Sequence, residues 1–398
     1  MFRKMPFILL AIILCAGWMG QWLPPFYQSI LYAISLSIKA VIVFILPFVV
    51  FGLLFKTAVH LANKASKMIL FILAAVCCSN FLSTLLSYSV GTFAYRFDLS
   101  MSFPQEGAAL LPAWNFSFPK WIENDQAMFS GLLLGVFLGW LRPLWAKQVA
   151  FKLEKAINYL LKGILFVIPF FIAGFIVKMS HDQVMGYIFR NYALIFALIG
   201  SSVFAYIVLI YFVSNHCRGQ ACFQSLKNML PAAMTGFGSM SSAAAMPLTI
   251  LGTEKNAKSP DLARSIIPAT VNIHLIGDCF AIPIFAFAVM KSFGSAEPAF
   301  SSYLIFAAYF VLAKFSVAAV PGGGILVMLP ILEAYLGFNA EMLSLITALY
   351  ILFDPVITCA NILGNGGFAL ALENVSVFLS RSKTSHLGNL QESRPFES

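Results

Sequence analysis

The sequence predicts an all-α polytopic membrane protein with eight transmembrane helices and two re-entrant helical hairpins. Three observations lead there. Of 398 residues, 60% are hydrophobic and 10% charged, against about half and a quarter in an average soluble domain. Apolar segments long enough to cross a bilayer as helices, about 20 residues each, follow one another along the chain. In the C-terminal part, apolar segments are broken twice, in the same order, by glycine, proline and polar residues. Non-helical backbone survives at membrane depth only where it is buried in protein or lines a cavity.

The first six spans run over about 6–24, 30–55, 67–95, 127–141, 157–178 and 190–214. Arg3 and Lys4 precede the first; Lys56, Lys64 and Lys67 follow the second; Arg142, Lys147, Lys152 and Lys155 follow the fourth. The loop 97–126 instead carries Asp98, Glu106, Glu123 and Asp125 against Lys120. This alternation places the N-terminus in the cytoplasm. It also explains the net charge of +9 as the cytoplasmic bias of a membrane protein, with no nucleic-acid partner implied. The basic start and apolar core of the N-terminus read as a retained first helix, because Leu14 before Cys15 is a poor cleavage context. The polar residues 376–398 form a cytoplasmic tail, disordered from about residue 381. His216, Cys217 and Cys222 lie close together but match no metal motif, so no metal site is expected there.

Two segments repeat. Pro47–Lys56 reads PFVVFGLLFK and Pro169–Lys178 reads PFFIAGFIVK, both P-F-x-x-x-G-x-x-x-K. By the charge alternation one lysine lies inside and the other outside, as an inverted repeat requires. A second repeat follows. Residues 224–264 hold GFGSMSSAAAMP between basic flanks of one side, a hairpin that enters and returns. A helix interrupted at Asn272–Asp278 comes next. A second hairpin is broken at Val320-Pro321-Gly322-Gly323-Gly324, and a last helix is interrupted at Asn361–Asn365. The chain thus divides into helices one to six (1–223), a core of hairpin, broken helix, hairpin and broken helix (224–375), and the tail. Paired interrupted segments in two halves are the best sequence pointer to a transporter's binding site.

His274, Asp278, Lys314 and Asp354 are ionisable groups within this core. Charge at membrane depth is expensive and faces the interior; a satisfied pair between Asp278 and Lys314 is one reading, function the other. Asp354 lies one helical turn before Thr358 and two before Asn361, on one face. A carboxylate, a hydroxyl and an amide so placed suit an ammonium group. Ser241, Ser242 and the N–H groups of Gly322–Gly324 offer donors to a carboxylate. Together they describe a pocket for a zwitterion.

At these residues the chain resembles the dicarboxylate/amino acid:cation symporter family, which has the glutamate-transporter-homologue fold. SSAAAMP is similar to that family's first hairpin tip, VPGGG to its second, ATVN to the start of its seventh helix and NILGN to its eighth-helix N-V-x-G-D motif. The resemblance implies a transporter and not an enzyme, a homotrimer in the lipid bilayer, and a core that moves against a scaffold like an elevator. By that resemblance Asp354 binds the substrate's amino group, Thr358 and Asn361 line the substrate site with Asn361 near the α-carboxylate, and Ser241, Ser242 and Val320–Gly324 form the tips. Short loops suggest a bacterial inner membrane.

The departures from the pattern set the specifics. Ile357 stands where acidic-substrate members carry an arginine, and no arginine occurs between Arg264 and Arg381. The arginine fork that holds a side-chain carboxylate is missing, so the expected substrate is an amino acid with a neutral side chain. Asn365 replaces the motif's aspartate, and His274 or Ile276 falls where the seventh helix has its acid. Lys314 adds a fixed positive charge near an expected sodium site. Weak sodium binding favours coupling to a proton, on His274 or Asp278, over one residual sodium held at Asn272, Asn361 and Asn365. No cofactor beyond the coupling ion, H+ or Na+, is implied. The alternatives are an acidic amino acid or dicarboxylate symporter, a channel, and an intramembrane aspartyl hydrolase using Asp278 and Asp354.

Overall fold

The computed structural model describes residues 5–20, 22–63, 67–97, 110–119, 121–122, 124–182, 185–317 and 323–392. They form thirteen helices, and among the described residues there is no strand. The first six, α1 (Met5–Gly20), α2 (Pro25–Asn63), α3 (Lys67–Tyr95), α4 (Asn124–Leu141), α5 (Pro143–His181) and α6 (Met185–Ser214), match the six expected spans in order. α2 and α5 are each 39 residues long and overrun the expected apolar stretches. Pro25 and Pro143 open them at positions where a missing N–H costs nothing. Stretches Pro25–Val59, Leu70–Tyr95, Pro143–His181, Tyr192–Ser214 and Ala340–Val375 are long and apolar enough to cross a membrane.

α2 and α5 carry the repeated motif and run antiparallel. The Ser35 hydroxyl donates to the carbonyl of Phe171 (2.7 Å), and at the other end Lys56 Nζ meets Glu154 Oε1 (2.6 Å). The two motifs therefore point in opposite directions, as expected. Each motif glycine lets the partner helix close in. A methyl on Gly52 would strike Ile157, and one on Gly174 would strike Ser35 and the carbonyl of Leu31. α4 joins them through Gly131, Gly135 and Gly139, four residues apart, which lie on Phe51, Phe55 and Val59 of α2. This close backbone approach is the small-residue packing of membrane helices.

The rest builds the core. α7 (Gly219–Ser239) and α8 (Ser242–Glu254) pack on each other as the first hairpin. It starts five residues earlier than expected and ends at Glu254, so residues 260–264 belong to the next helix. α9 (Pro260–Thr270) and α10 (Ile276–Ser292) are the expected broken helix, interrupted at 271–275. α11 (Phe300–Lys314) and α12 (Gly323–Leu336) are the arms of the second hairpin. α10 is buried on every side from Ile276 to Met290, as a helix apolar all round must be.

α13 (Ala340–Glu392) corrects two expectations. It is not interrupted at Asn361–Asn365. Asn365 Nδ2 donates back to the Asn361 carbonyl (2.9 Å), so the polar residues decorate the helix without breaking it. The glycines near them are places of close packing, Gly366 and Gly367 on Tyr211 and Gly364 on Ile276. The helix also runs on to Glu392, into the tail expected to be disordered; after Pro355 the next proline is Pro395. Glu373 ties α13 to α9 by accepting the N–H groups of Lys258 and Ser259 (3.1 and 2.6 Å).

Candidate functional site

The break between α9 and α10 is held open by α3. Asn80 Nδ2 donates to the Ile273 carbonyl (2.7 Å), and its Oδ1 accepts from the N–H of Leu275 (3.2 Å). One buried amide thus replaces two ladder bonds that the interruption removes. The first turn of α10 then presents Gly277 and Asp278 to α13. Gly277 is needed because a methyl there would meet the Ile357 carbonyl. Its N–H donates to Asn361 Oδ1 (2.8 Å).

Asp278 is the hub, 2% exposed along its side chain. Tyr350 donates its hydroxyl to Oδ1 (2.7 Å), Asn361 donates Nδ2 to Oδ2 (2.7 Å), and Lys314 Nζ lies 3.3 Å from Oδ1. α12 closes on the same atoms: a methyl on Gly324 would meet Asp278 Oδ1 and the Tyr350 hydroxyl. Glycine at 324 is therefore a packing requirement as well as part of the hairpin tip. Val320, Pro321 and Gly322 lie outside the described residues.

A small cavity of about 40 Å³ opens beside this hub. The first hairpin gives it Met240, Ser241 and Ser242; the α9–α10 break gives Val271, Asn272 and Leu275, with Asp278; the second hairpin gives Val317 and Gly324; α13 gives Tyr350, Asp354, Thr358 and Asn361. Met240 turns the chain in the left-handed conformation (φ 51°) that ends α7, and Ser241 Oγ caps α8 by accepting from the N–H of Ala244 (3.3 Å). The starts of α8, α10 and α12 all meet at this cavity. Helix N-termini carry unsatisfied N–H groups and the positive end of the dipole, so a carboxylate is favoured there. Asp354, 4% exposed, accepts from the Thr358 hydroxyl (3.2 Å). Among the described residues lining the cavity, Asp278 and Asp354 are the carboxylates, and no lysine or arginine is present.

The residues singled out from sequence thus separate. Ser241, Ser242, Asn272, Gly324, Asp278, Asp354, Thr358 and Asn361 come together at the cavity. Lys314 stands behind Asp278. Gly323 is buried in the start of α12. Ile357 is buried in the main core and is not among the lining residues. Asn361, expected beside the substrate's carboxylate, has both side-chain atoms engaged with Gly277 and Asp278. His274 and Asn365 form a separate layer. His274 Nε2 is 2.8 Å from Ser79 Oγ, its ring lies on Phe368 at 4.2 Å, and its carbonyl accepts from Asn365 Nδ2 (3.1 Å). The sequence reading missed Tyr350, Ser79 and Asn80. Tyr350 had a signal, since it stands one turn before Asp354 on the same stripe of α13; Ser79 and Asn80 had none.

Paired hairpins around a buried polar cavity, on a bundle of membrane-length helices, define an integral membrane protein of the transporter class. The chain belongs to the sodium:dicarboxylate symporter family, whose model matches residues 126–375. It is similar to human excitatory amino acid transporter 1, with 26% identity over 247 residues, 60% of this chain and 44% of that protein. The Ambystoma tigrinum excitatory amino acid transporter 1 matches at 26% over 245 residues, with the same shares. An excitatory amino acid transporter of Onchocerca volvulus matches at 27% over 141 residues, 35% of this chain and 28% of that one. The matched part is less than half the length of these relatives.

Proposed function

We propose that the chain is a secondary active transporter that moves an amino acid with a neutral side chain together with a cation. The observation that carries this is the make-up of the cavity: the starts of α8, α10 and α12 together with Asp354 and Thr358, and no cationic side chain among the described residues that line it. The N-termini suit an α-carboxylate and Asp354 an α-ammonium. A second carboxylate on the substrate would face Asp278 and Asp354 with no arginine to meet it. Asp278 is spent on Tyr350, Asn361 and Lys314, which argues against the aspartyl-hydrolase alternative.

The coupling ion in this reading is a proton. Asn365 stands where the family resemblance expects an acid, and Lys314 places a fixed positive charge 3.3 Å from Asp278; both weaken the case for a bound sodium ion. The mode of transport is elevator-like: residues 224–375 shift against the α2–α4–α5 bundle in a homotrimer. The membrane is a bacterial inner membrane, with both termini cytoplasmic. Purified protein in liposomes tests this. Labelled alanine, serine or leucine should accumulate under an imposed inward proton gradient with sodium absent. Accumulation that needs a sodium gradient and ignores the pH gradient overturns the proton assignment, and unsaturable flux would favour a channel.

A further inference from the structure

Lys314 is the last residue of α11, and its side chain is fully buried. A lysine kept for structural cohesion finds acceptors for its three N–H donors, yet among the described residues Nζ makes no hydrogen bond. Its surroundings are one carboxylate oxygen at 3.3 Å and the face of Phe310, 4.4 Å from the ring centroid. The negative end of α11 also lies there, where the last turn of carbonyls favours a cation. This is an environment for a positive charge as such, indifferent to the direction of its donors. On the other side, Asp278 takes two neutral donors, Tyr350 and Asn361, which orient the carboxylate without neutralising it. The compensating charge among its described contacts is Lys314, and the pair lies directly under Gly324 at the start of α12.

We propose that Lys314 is a built-in counter-cation: its ammonium occupies, permanently, a position at the Asp278 carboxylate that a freely exchanging alkali-metal ion would otherwise fill. The inference rests on the reading of this cavity as a cation-coupled transport site and names how one cation has been replaced. A tethered charge cannot leave with substrate, so Asp278 contributes to holding the second hairpin against α10 and α13 but not to ion coupling. An external cation drawn to Asp278 would first have to displace an ammonium that the chain itself supplies at very high effective concentration. Removing the ammonium should therefore create a site for sodium that the wild type lacks.

The test uses purified full-length protein in detergent, without amino acid, melted in sodium chloride and in choline chloride at equal ionic strength. Lys314→Met should melt below wild type in choline and regain about 2–4 °C or more on adding sodium. The wild type should show no such sodium-specific gain, and the double variant Lys314→Met/Asp278→Asn should be as indifferent to sodium as the wild type. A Lys314→Met protein that is monodisperse only in sodium gives the same answer. The proposal is overturned if Lys314→Met responds to sodium no more than wild type, if it stays misfolded in both salts, or if its gain persists in the double variant. Because the readout needs no transport, absent uptake with this sodium response intact would sink the transport reading alone. Gradient-driven uptake by the wild type without the sodium response would sink the Lys314 proposal alone.

Discussion

Two buried lysine–aspartate pairs sit in different parts of the molecule. Near the end of α5, Lys178 donates to Asp182 Oδ2 (2.6 Å), lies 3.1 Å from Glu341 Oε1 at the start of α13, and passes 5.7 Å from the centre of the Tyr32 ring on α2. In the core, Lys314 has Asp278 as its one carboxylate among the described residues, with the Phe310 ring face beside it and no hydrogen bond among those residues. The first is a junction: one ammonium, two carboxylates and three helices, partly open on the Glu341 side (25% exposed). The second is closed, at 0% and 2% exposure. The lesson is that residue type does not fix role. Redundant partners make the Lys178 cluster a clamp that tolerates a loss, whereas the core pair has no second carboxylate among the described residues and its Asp278 lines the cavity.

The largest effect should come from stranding Lys314. Asp278→Ala leaves a buried ammonium uncompensated and is expected to cost about 3–5 kcal/mol, seen as loss of the monodisperse peak in size-exclusion chromatography. The matching change at the clamp, Asp182→Ala, leaves Lys178 with Glu341 and should cost only about 1–2 kcal/mol. Equal losses at the two sites would break the comparison. Next, Asp354→Asn should keep the fold but weaken amino acid binding about 100-fold, by removing the charge that faces an ammonium; titration calorimetry would read it. An unchanged affinity would move the amino group elsewhere. The smallest effect belongs to Ser241→Ala, where loss of the cap on α8 should lower stability by about 1 kcal/mol, read as a small drop in melting temperature.

Much of this was legible in the sequence because helix breaking inside apolar segments is so costly. GFGSMSSAAAMP and ATVNIHLIGD were expected to interrupt helices, and both do, at Met240–Ser241 and at 271–275. The inverted P-F-x-x-x-G-x-x-x-K motif was legible for the same reason, since its glycines face a partner helix. NILGN misled: asparagine and glycine within a helix look like an interruption until their neighbours are known, and here Ile276, Tyr211 and Met229 fill the space above the glycines. The α3 contribution was invisible, because Ser79 and Asn80 act on residues almost two hundred positions away. Ile357, at the place of the family's arginine by the resemblance, packs its side chain in the core, so the described residues lining the cavity lack a cation and Ile357 is not among them.

The central claim is that the cavity accepts one carboxylate and one ammonium, and no second carboxylate. Competition in proteoliposome uptake tests it most directly, with a labelled neutral amino acid challenged by excess unlabelled alanine, serine, leucine, aspartate or succinate. Neutral amino acids should abolish the signal, aspartate should compete at least about tenfold more weakly, and succinate, which has no ammonium for Asp354, should not compete. Aspartate or succinate competing as well as, or better than, the neutral amino acids would contradict the account.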